Sequence, residues 1–502
     1  MNKMKGSLQL AAVVMATTVF GIALSAQEGA SPKPKHQTYK VVVLPPDGGQ
    51  DSFLAGYLFY APMNNGGTLG VAADSSTPGY NSYTWTNGKQ TDLQALPQSP
   101  NLTGTATYIN WINQGGLAAG YGTRTNSTTG ASLDNAVVWA PDGHIFPLNT
   151  PAGDQSHAVW INDLGQASGW VESSNSSSCS FGTGGQTEGV VWQFGILRFL
   201  GTLGGAQSYG EFINDLGQIS GHSETSTMAN TNTNCPPYDP FIWQNGKMID
   251  INPGNFGGAE GGTNFLSNHG HAVGFGTESG EVISQAFLWN NGTLTDLDTL
   301  GTLGGSLNSA YNVNEQGHVV GVSSVSDDSV YHSVLWRNGA FTDLGTVTGD
   351  CYSQPYRINS SDQIVGASFT CDFSTFHAYL WENGELQDLN TLVPPGSGLE
   401  LEAASWITDD GIIAAQAVLT DGTNAGDSRA VLLIPTGEYS GDSQAESTAT
   451  FKNATTVSQS GDTTERTLKG PALVKNEDGR LNRMLLRPFS PEKLLNKKKD
   501  LQ

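Results

Sequence analysis

The sequence predicts an all-β fold, a closed β-propeller of eight four-stranded blades, and three observations predict it. A nine-residue motif recurs eight times at spacings of 45 to 53 residues. A second, Trp-centred motif follows seven of the copies. The one strand missing from the last copy stands at the start of the chain. A ring of seven blades, with one divergent unit set aside, is the fallback.

The first motif has the form aliphatic-Asn-x-x-Gly-x-x-x-Gly. Ile161-Asn162 with Gly165 and Gly169 and Ile213-Asn214 with Gly217 and Gly221 are full copies, as are Ile112-Asn113 and Val313-Asn314. Met63-Asn64, Leu266-Ser267, Ile358-Asn359 and Ile407-Thr408 are variants, the Ile358 copy with Asp362 in place of the first Gly. Asn, Ser or Thr at a turn bonds nearby backbone amides, and Gly three residues later supplies the left-handed conformation that closes a hairpin. Asp tolerates that conformation better than most residues. The invariably aliphatic residue before Asn marks a buried face of an inner strand. Trp111, Trp160, Phe212, Phe265 and Trp406, one residue earlier, fall on the opposite face by strand alternation, against a neighbouring sheet.

The second motif is polar-small-aliphatic-x-Trp-x-x-Gly, then a run ending in Asp-Leu. Seven of the eleven Trp occupy its Trp position: 85, 139, 192, 243, 289, 336 and 381. Asn291-Gly292 and its equivalents are a strong two-residue hairpin signal. Each unit thus reads as two hairpins with a core Trp. In the eighth unit Leu433 takes the Trp position and no Asp-Leu strand follows Gly437. Lys40–Leu44 aligns with the missing strand, so an N-terminal strand is expected to complete the last blade and latch the ring.

The flanks divide the chain further. Lys3 and Lys5, the apolar run Leu8–Leu24 and the small residues Ser25 and Ala26 make 1–26 a secretory signal. Residues 27–38 read as linker, 39–437 as the propeller, and 438–502 as a disordered polar tail ending in a basic segment. The expected location is therefore outside the cytoplasm, extracellular or periplasmic, with no transmembrane segment in the mature chain.

Composition excludes several classes. The 63 Gly follow no three-residue period, so the chain is not collagen-like. Residues 36–451 carry 8 Lys and Arg against 39 Asp and Glu, a net charge of −31. Such a surface repels phosphate, so nucleic acid is not an expected partner.

Four cysteines in an exported chain invite disulfides. A hairpin turning at 360–362 pairs residues whose numbers sum to about 722, which sets Cys351 opposite Cys371. Cys179 and Cys235 fall in the long insertions of two consecutive units and are a second candidate pair.

These motifs resemble the HAF-repeat family of extracellular repeat proteins. Its eponymous triplet appears here as His377-Ala378-Tyr379 and Gln285-Ala286-Phe287, and its Leu-Gly-Thr-Leu-Gly-Gly connection at Leu200–Gly205 and Leu300–Gly305. The resemblance covers about 39–437 and implies fold and location. It brings no activity.

Chemistry-bearing motifs are sparse. His269 and His271 suggest a metal pair, but His271 shares its column with Gln166, Gln218, His318 and Gln363. The column Asn81, Asn135, Glu188, Asp239, Gln285, His332, His377, Arg429 suits local hydrogen bonding. Asp92, Asp250, Asp296, Asp343 and Asp388 recur on outer strands, where a charge discourages edge-to-edge pairing. The sequence specifies no cofactor. Ca²⁺ at Asp327-Asp328 or Asp409-Asp410 is the one candidate, and neither place has the alternating oxygen spacing of a Ca²⁺ loop. No catalytic or metal residue is assigned. The expectation is a non-catalytic binding or scaffold propeller for a glycan or cell-surface component. The alternative is a carbohydrate-active hydrolase or lyase with its site at the central channel.

Overall fold

The computed structural model describes residues 36–56, 60–75, 80–98, 101–151, 154–176, 185–225, 236–252, 256–278 and 284–439. The signal, most of the linker, the tail, and Cys179 with Cys235 lie outside the described residues. Eight four-stranded antiparallel units follow one another, at 48–92, 102–147, 155–199, 204–250, 257–296, 304–345, 352–388 and 399–439. We number them blades 1 to 8. Two short 3-10 turns, Leu297–Leu300 and Leu389–Thr391, are the only helical elements among the described residues.

The N-terminal strand His36–Val43 completes blade 8. Val41 pairs with Leu433, Val42 with Leu432 and Val43 with Val431, and the Leu44 amide donates to Ala430 O at 2.9 Å. The strand starts three residues earlier than expected, at His36, and its partner runs to Tyr439. Blade 1 then seals against blade 8. The Leu54 amide donates to Gln416 Oε1 at 3.1 Å, the Ser428 amide to Asp51 at 2.8 Å and the Ala430 amide to Ser52 Oγ at 3.2 Å. The ring is closed by backbone and by side chain.

Both hairpins form as their turn residues require. Gly67, Gly116, Gly165, Gly217, Gly270, Gly317 and Gly411 lie at φ between 73° and 85°, and Asp362 joins them at 61°. The second hairpin carries Asn at positive φ in five blades and Phe194 at 51° in blade 3. The third-strand side chains Trp139, Trp192, Trp336 and Leu433 are fully buried. Trp139, Trp192 and Trp336 donate from Nε1 to Gln94 O, Asn149 O and Gly301 O, so in blades 2, 3 and 6 the indole also ties the blade to the preceding connection.

The hairpin Asn is more than a turn residue. Asn162 Oδ1 accepts from the amides of Leu164 and Gln166, while its Nδ2 donates to Asn214 O in the next blade at 2.9 Å. Asn64, Asn113, Asn214, Asn314 and Asn359 repeat the inter-blade bond, so the motif forms a belt around the axis.

Each inner strand from blade 2 to blade 8 carries a register shift just before the residue that stands two ahead of the motif's Asn position. That residue is Trp or Phe in blades 2, 3, 4, 5 and 8, and Asn312 and Arg357 in blades 6 and 7. This bulge overturns the expectation that Trp111, Trp160, Phe212, Phe265 and Trp406 pack between sheets on the face opposite the aliphatic residue. They turn toward the axis and meet around Tyr60. Its ring is in contact with Trp160, Phe212, Phe265 and Trp406, from blades 3, 4, 5 and 8. The Tyr60 hydroxyl donates to Asn264 O at 3.1 Å. The same bulge accounts for the second motif Gly. A Cβ at Gly169 would collide with His157 O, and one at Gly221 with Tyr209 O.

The Cys351–Cys371 disulfide forms, with Cα atoms 5.0 Å apart. The bulge shifts the strand register by one, so Tyr352 pairs with Phe369, and the bond closes just beyond the last ladder pair.

Candidate functional site

The belt side of the axis is a plug, not a site. Trp111 stacks on Trp160 with centroids 3.5 Å apart, and the Arg357 guanidinium reaches across to within 4.1 Å of the Trp406 ring centre and 5.1 Å of Phe265. Arg357 Nη1 donates to Asn312 Oδ1 at 3.2 Å. Burial pushes the Arg357 guanidinium down to about 10, opposed by Glu315, Asp409 and Tyr60, so it stays cationic. Aromatic rings therefore fill the axis at this level.

Five residues before each belt Asn, and eight after it, the inner and second strands pair directly. In blades 2, 3 and 4 these pairs are Tyr108 with Tyr121, His157 with Trp170 and Tyr209 with His222. Blade 5 has Gly262 with Phe275, and blades 6, 7 and 8 have Ser309 with Val322, Gln354 with Ala367 and Ala403 with Gln416. Polar aromatic rings thus occupy this position in three consecutive blades only. The repeat does not need them for folding.

The rings form one continuous ladder. Tyr108 stacks on Tyr121 at 4.7 Å, Tyr121 on His157 at 3.7 Å, and His157 on Trp170 at 4.1 Å. Trp170 meets Tyr209 edge-on at 6.1 Å, Tyr209 stacks on His222 at 5.0 Å, and Tyr238 closes the row at 5.8 Å.

Two carboxylate–imidazole dyads are set into the ladder. His157 Nε2 lies 3.1 Å from Asp134 Oδ2, and Thr123 Oγ1 donates to the other Asp134 oxygen at 2.7 Å. Burial acts to raise the Asp134 carboxyl, but the His157 hydrogen bond and charge, with Thr123, hold it below its ordinary value. A carboxylate on one imidazole nitrogen fixes the tautomer and leaves the other nitrogen, here Nδ1, to take up a proton. The second dyad is His222 Nδ1 with Glu211 Oε1 at 3.4 Å. Burial pushes the Tyr209 phenol far above its ordinary value, with Thr187 opposing and Glu172, Glu211 and Glu224 adding to it. Tyr238 is raised likewise by burial and by Glu224, to which its hydroxyl donates at 3.2 Å. Glu224 is itself anchored by the amides of Ala206 and Gln207 at 2.8 and 3.1 Å. The sector therefore holds phenols that remain proton donors beside imidazoles able to accept protons.

The residues singled out from sequence are placed elsewhere. His269 and His271 sit 6.5 Å apart in a hairpin turn, where His269 Nδ1 meets Glu315 at 3.1 Å. No group of three or more His, Cys, Asp or Glu positioned for a metal ion occurs among the described residues. The Asp328 carboxylate accepts from the Ser306 amide and from Ser306 and Ser324 hydroxyls, and Asp409 accepts from the Ser360 amide. The polar column pairs locally: Asn81 with Asp47, Asp239 with Asn252, His332 with Asp343, His377 with Asp350. The outer-strand Asp residues cap the exits between blades, as when Asp296 accepts from the Asp298 amide and Asp388 from the Asn390 amide.

The ladder was not found from sequence. The signal was present in the column eight residues after each Asn, where Tyr121, Trp170 and His222 follow one another in consecutive repeats while the other copies carry Ala72, Phe275, Val322, Ala367 and Gln416.

No protein-family model matches the sequence, and no curated protein matches it. Among solved structures it is similar to the Pyrococcus horikoshii acylaminoacyl peptidase, at 10% identity over 70% of this chain and 56% of that one, with a TM-score of 0.37. It is similar to a puromycin hydrolase at 10% identity over 76% of this chain and 61% of that one, TM-score 0.39. TolB from Acinetobacter baumannii aligns at 11% identity over 75% and 78%, TM-score 0.30. The chain spans about three-fifths of the length of the two enzymes.

The expectation of a non-catalytic binding or scaffold propeller is corrected. It rested on scattered chemistry, whereas the structure gathers two acid–His dyads and four Tyr in one sector.

Proposed function

We propose that this chain is an exported hydrolase in which His157, oriented by Asp134, acts as general base on the water that attacks an acyl carbon. The observation that carries this reading is the restriction of the aromatic ladder, into which the two dyads are set, to three consecutive blades of an eightfold repeat. Acid–His pairs recur elsewhere, as at His318 with Asp362 and His377 with Asp350, but only those of His157 and His222 stand within stacked rings. Burial keeps the Tyr209 and Tyr238 phenols of the same sector protonated, and Tyr238 donates to Glu224. The net charge of −31 over 36–451 favours uncharged or cationic substrates over anionic ones. Export is supported by the signal-like 1–26, the Cys351–Cys371 disulfide, and the lack of any described helix long and apolar enough to cross a membrane. Kinship with HAF-type repeat proteins is proposed on the shared motifs.

The test is a panel of chromogenic amides and esters of neutral and cationic aminoacyl groups, with wild type, His157→Asn and Asp134→Asn. Hydrolysis by wild type with about 10²–10⁴-fold loss in His157→Asn is expected. Equal rates in wild type and His157→Asn, or no turnover of any substrate, would overturn the assignment.

A further inference from the structure

Seven large apolar side chains are exposed among the described residues, and five of them lie on the outer strands of three consecutive blades or, for Phe194, in the turn that leads into one. Phe146 belongs to blade 2, Phe194, Ile196 and Phe199 to blade 3, and Ile249 to blade 4. Blade 3 departs most from the repeat. Its second hairpin has Phe194 at φ 51° and 85% exposed, where Asn87, Asn245, Asn291, Asn338 and Asn383 stand in other blades. Ile196 replaces the Lys89 and Lys247 of its neighbours by pairing register, and Phe199 replaces Asp92 and Asp250. At these two positions blade 3 thus carries bulky apolar side chains in place of the charges of its neighbours, and its one charged outer-strand residue, Arg198, lies over the Trp243 ring of blade 4 with 5.0 Å to the ring centre. An outer edge furnished with exposed apolar side chains is a docking surface.

We propose that the chain's own basic C-terminal segment, 479–502, docks on this outer edge of blades 2 to 4. That segment carries Leu485, Leu486, Phe489, Leu494 and Leu495 among seven Lys and Arg, against only Glu492 and Asp500. The charge is complementary, because the propeller body is strongly acidic and Asp250 and Asp239 stand on blade 4 beside the patch. Burial and the Asp250 charge push the Asp239 carboxyl up to about 7, a cost that a docked cation relieves. The length suffices. The described chain ends at Tyr439, and the 39 residues to 478 reach about 30–40 Å as a flexible linker. A body of about 400 residues has a radius of gyration of about 21 Å.

The test is trypsin cleavage after Arg480 and Arg483 in the full chain. It is compared with the full chain carrying Phe194→Asn, Ile196→Lys and Phe199→Asp, the residues other blades use. Slower cleavage in the native chain by at least about tenfold, with the gap closing at high salt, is expected. The same three substitutions in a chain ending at Tyr439, melting at an unchanged temperature, exclude unfolding as the cause. Equal cleavage rates, or protection that survives the substitutions, overturn the proposal. Protection that rises with protein concentration alongside a doubled mass in solution also overturns it, because a second copy then covers the edge.

Discussion

Asn162 donates from its Nδ2 to the carbonyl oxygen of Asn214, 52 residues ahead and one blade onward, while its Oδ1 holds the Leu164 and Gln166 amides of its own turn. One buried side chain serves a local hairpin and a long-range contact together. Its Nδ2 also donates to Gln166 Oε1 at 2.8 Å, so Asn162→Ala removes four hydrogen bonds and leaves buried groups without partners, which costs about 1–3 kcal/mol. Denaturant unfolding measures it, and Asn113→Ala, in the same place one blade earlier, is expected to match.

The latch is tested at Leu44, which is fully buried where the first strand joins blade 8. Leu44→Ala is expected to destabilise the fold by about 2–5 kcal/mol. A loss below about 0.5 kcal/mol in thermal or denaturant unfolding would show that ring closure does not depend on this strand.

The Cys351–Cys371 bond closes a loop of 20 residues within blade 7. Under the chain-entropy account a loop of this size contributes about 3 kcal/mol. Cys351→Ala with Cys371→Ala, or reduction, is expected to lower the melting temperature without changing the far-ultraviolet dichroism at 25 °C.

Asp239 supplies a pH test. Burial, with Asp250 adding, raises its folded value to about 7, above the ordinary carboxylate range. The folded state then binds a proton that the unfolded chain has released, so this group's contribution falls as pH rises from about 4 to 7 and levels off above. Asp239→Asn is expected to flatten that part of the stability curve and to stabilise the protein at pH 8. An unchanged slope between pH 4 and 7 contradicts the assignment.

Gly169 links fold to site. A side chain there meets His157 O across the bulge, so Gly169→Ala moves the backbone that carries the dyad. Hydrolysis is expected to fall further than stability alone explains, read as activity per folded molecule. The corresponding Gly321→Ala in blade 6, against Ser309 O, is expected to reduce stability only.

The sequence alone determined the ring. Blade count, both turns, the buried third-strand Trp, the latch and the Cys351–Cys371 pair were all legible, because each is a local pattern repeated at a fixed period. Tertiary structure decided what lies across blades. The bulge that sends Trp160 and Phe212 to the axis breaks the alternation from which side-chain direction is inferred, so the central plug around Tyr60 was not foreseeable. Asp134 and His157 lie 23 residues apart in different blades, and no spacing rule joins them. Only closure of the ring packs neighbouring blades face to face, and that packing turns separate residues into a dyad.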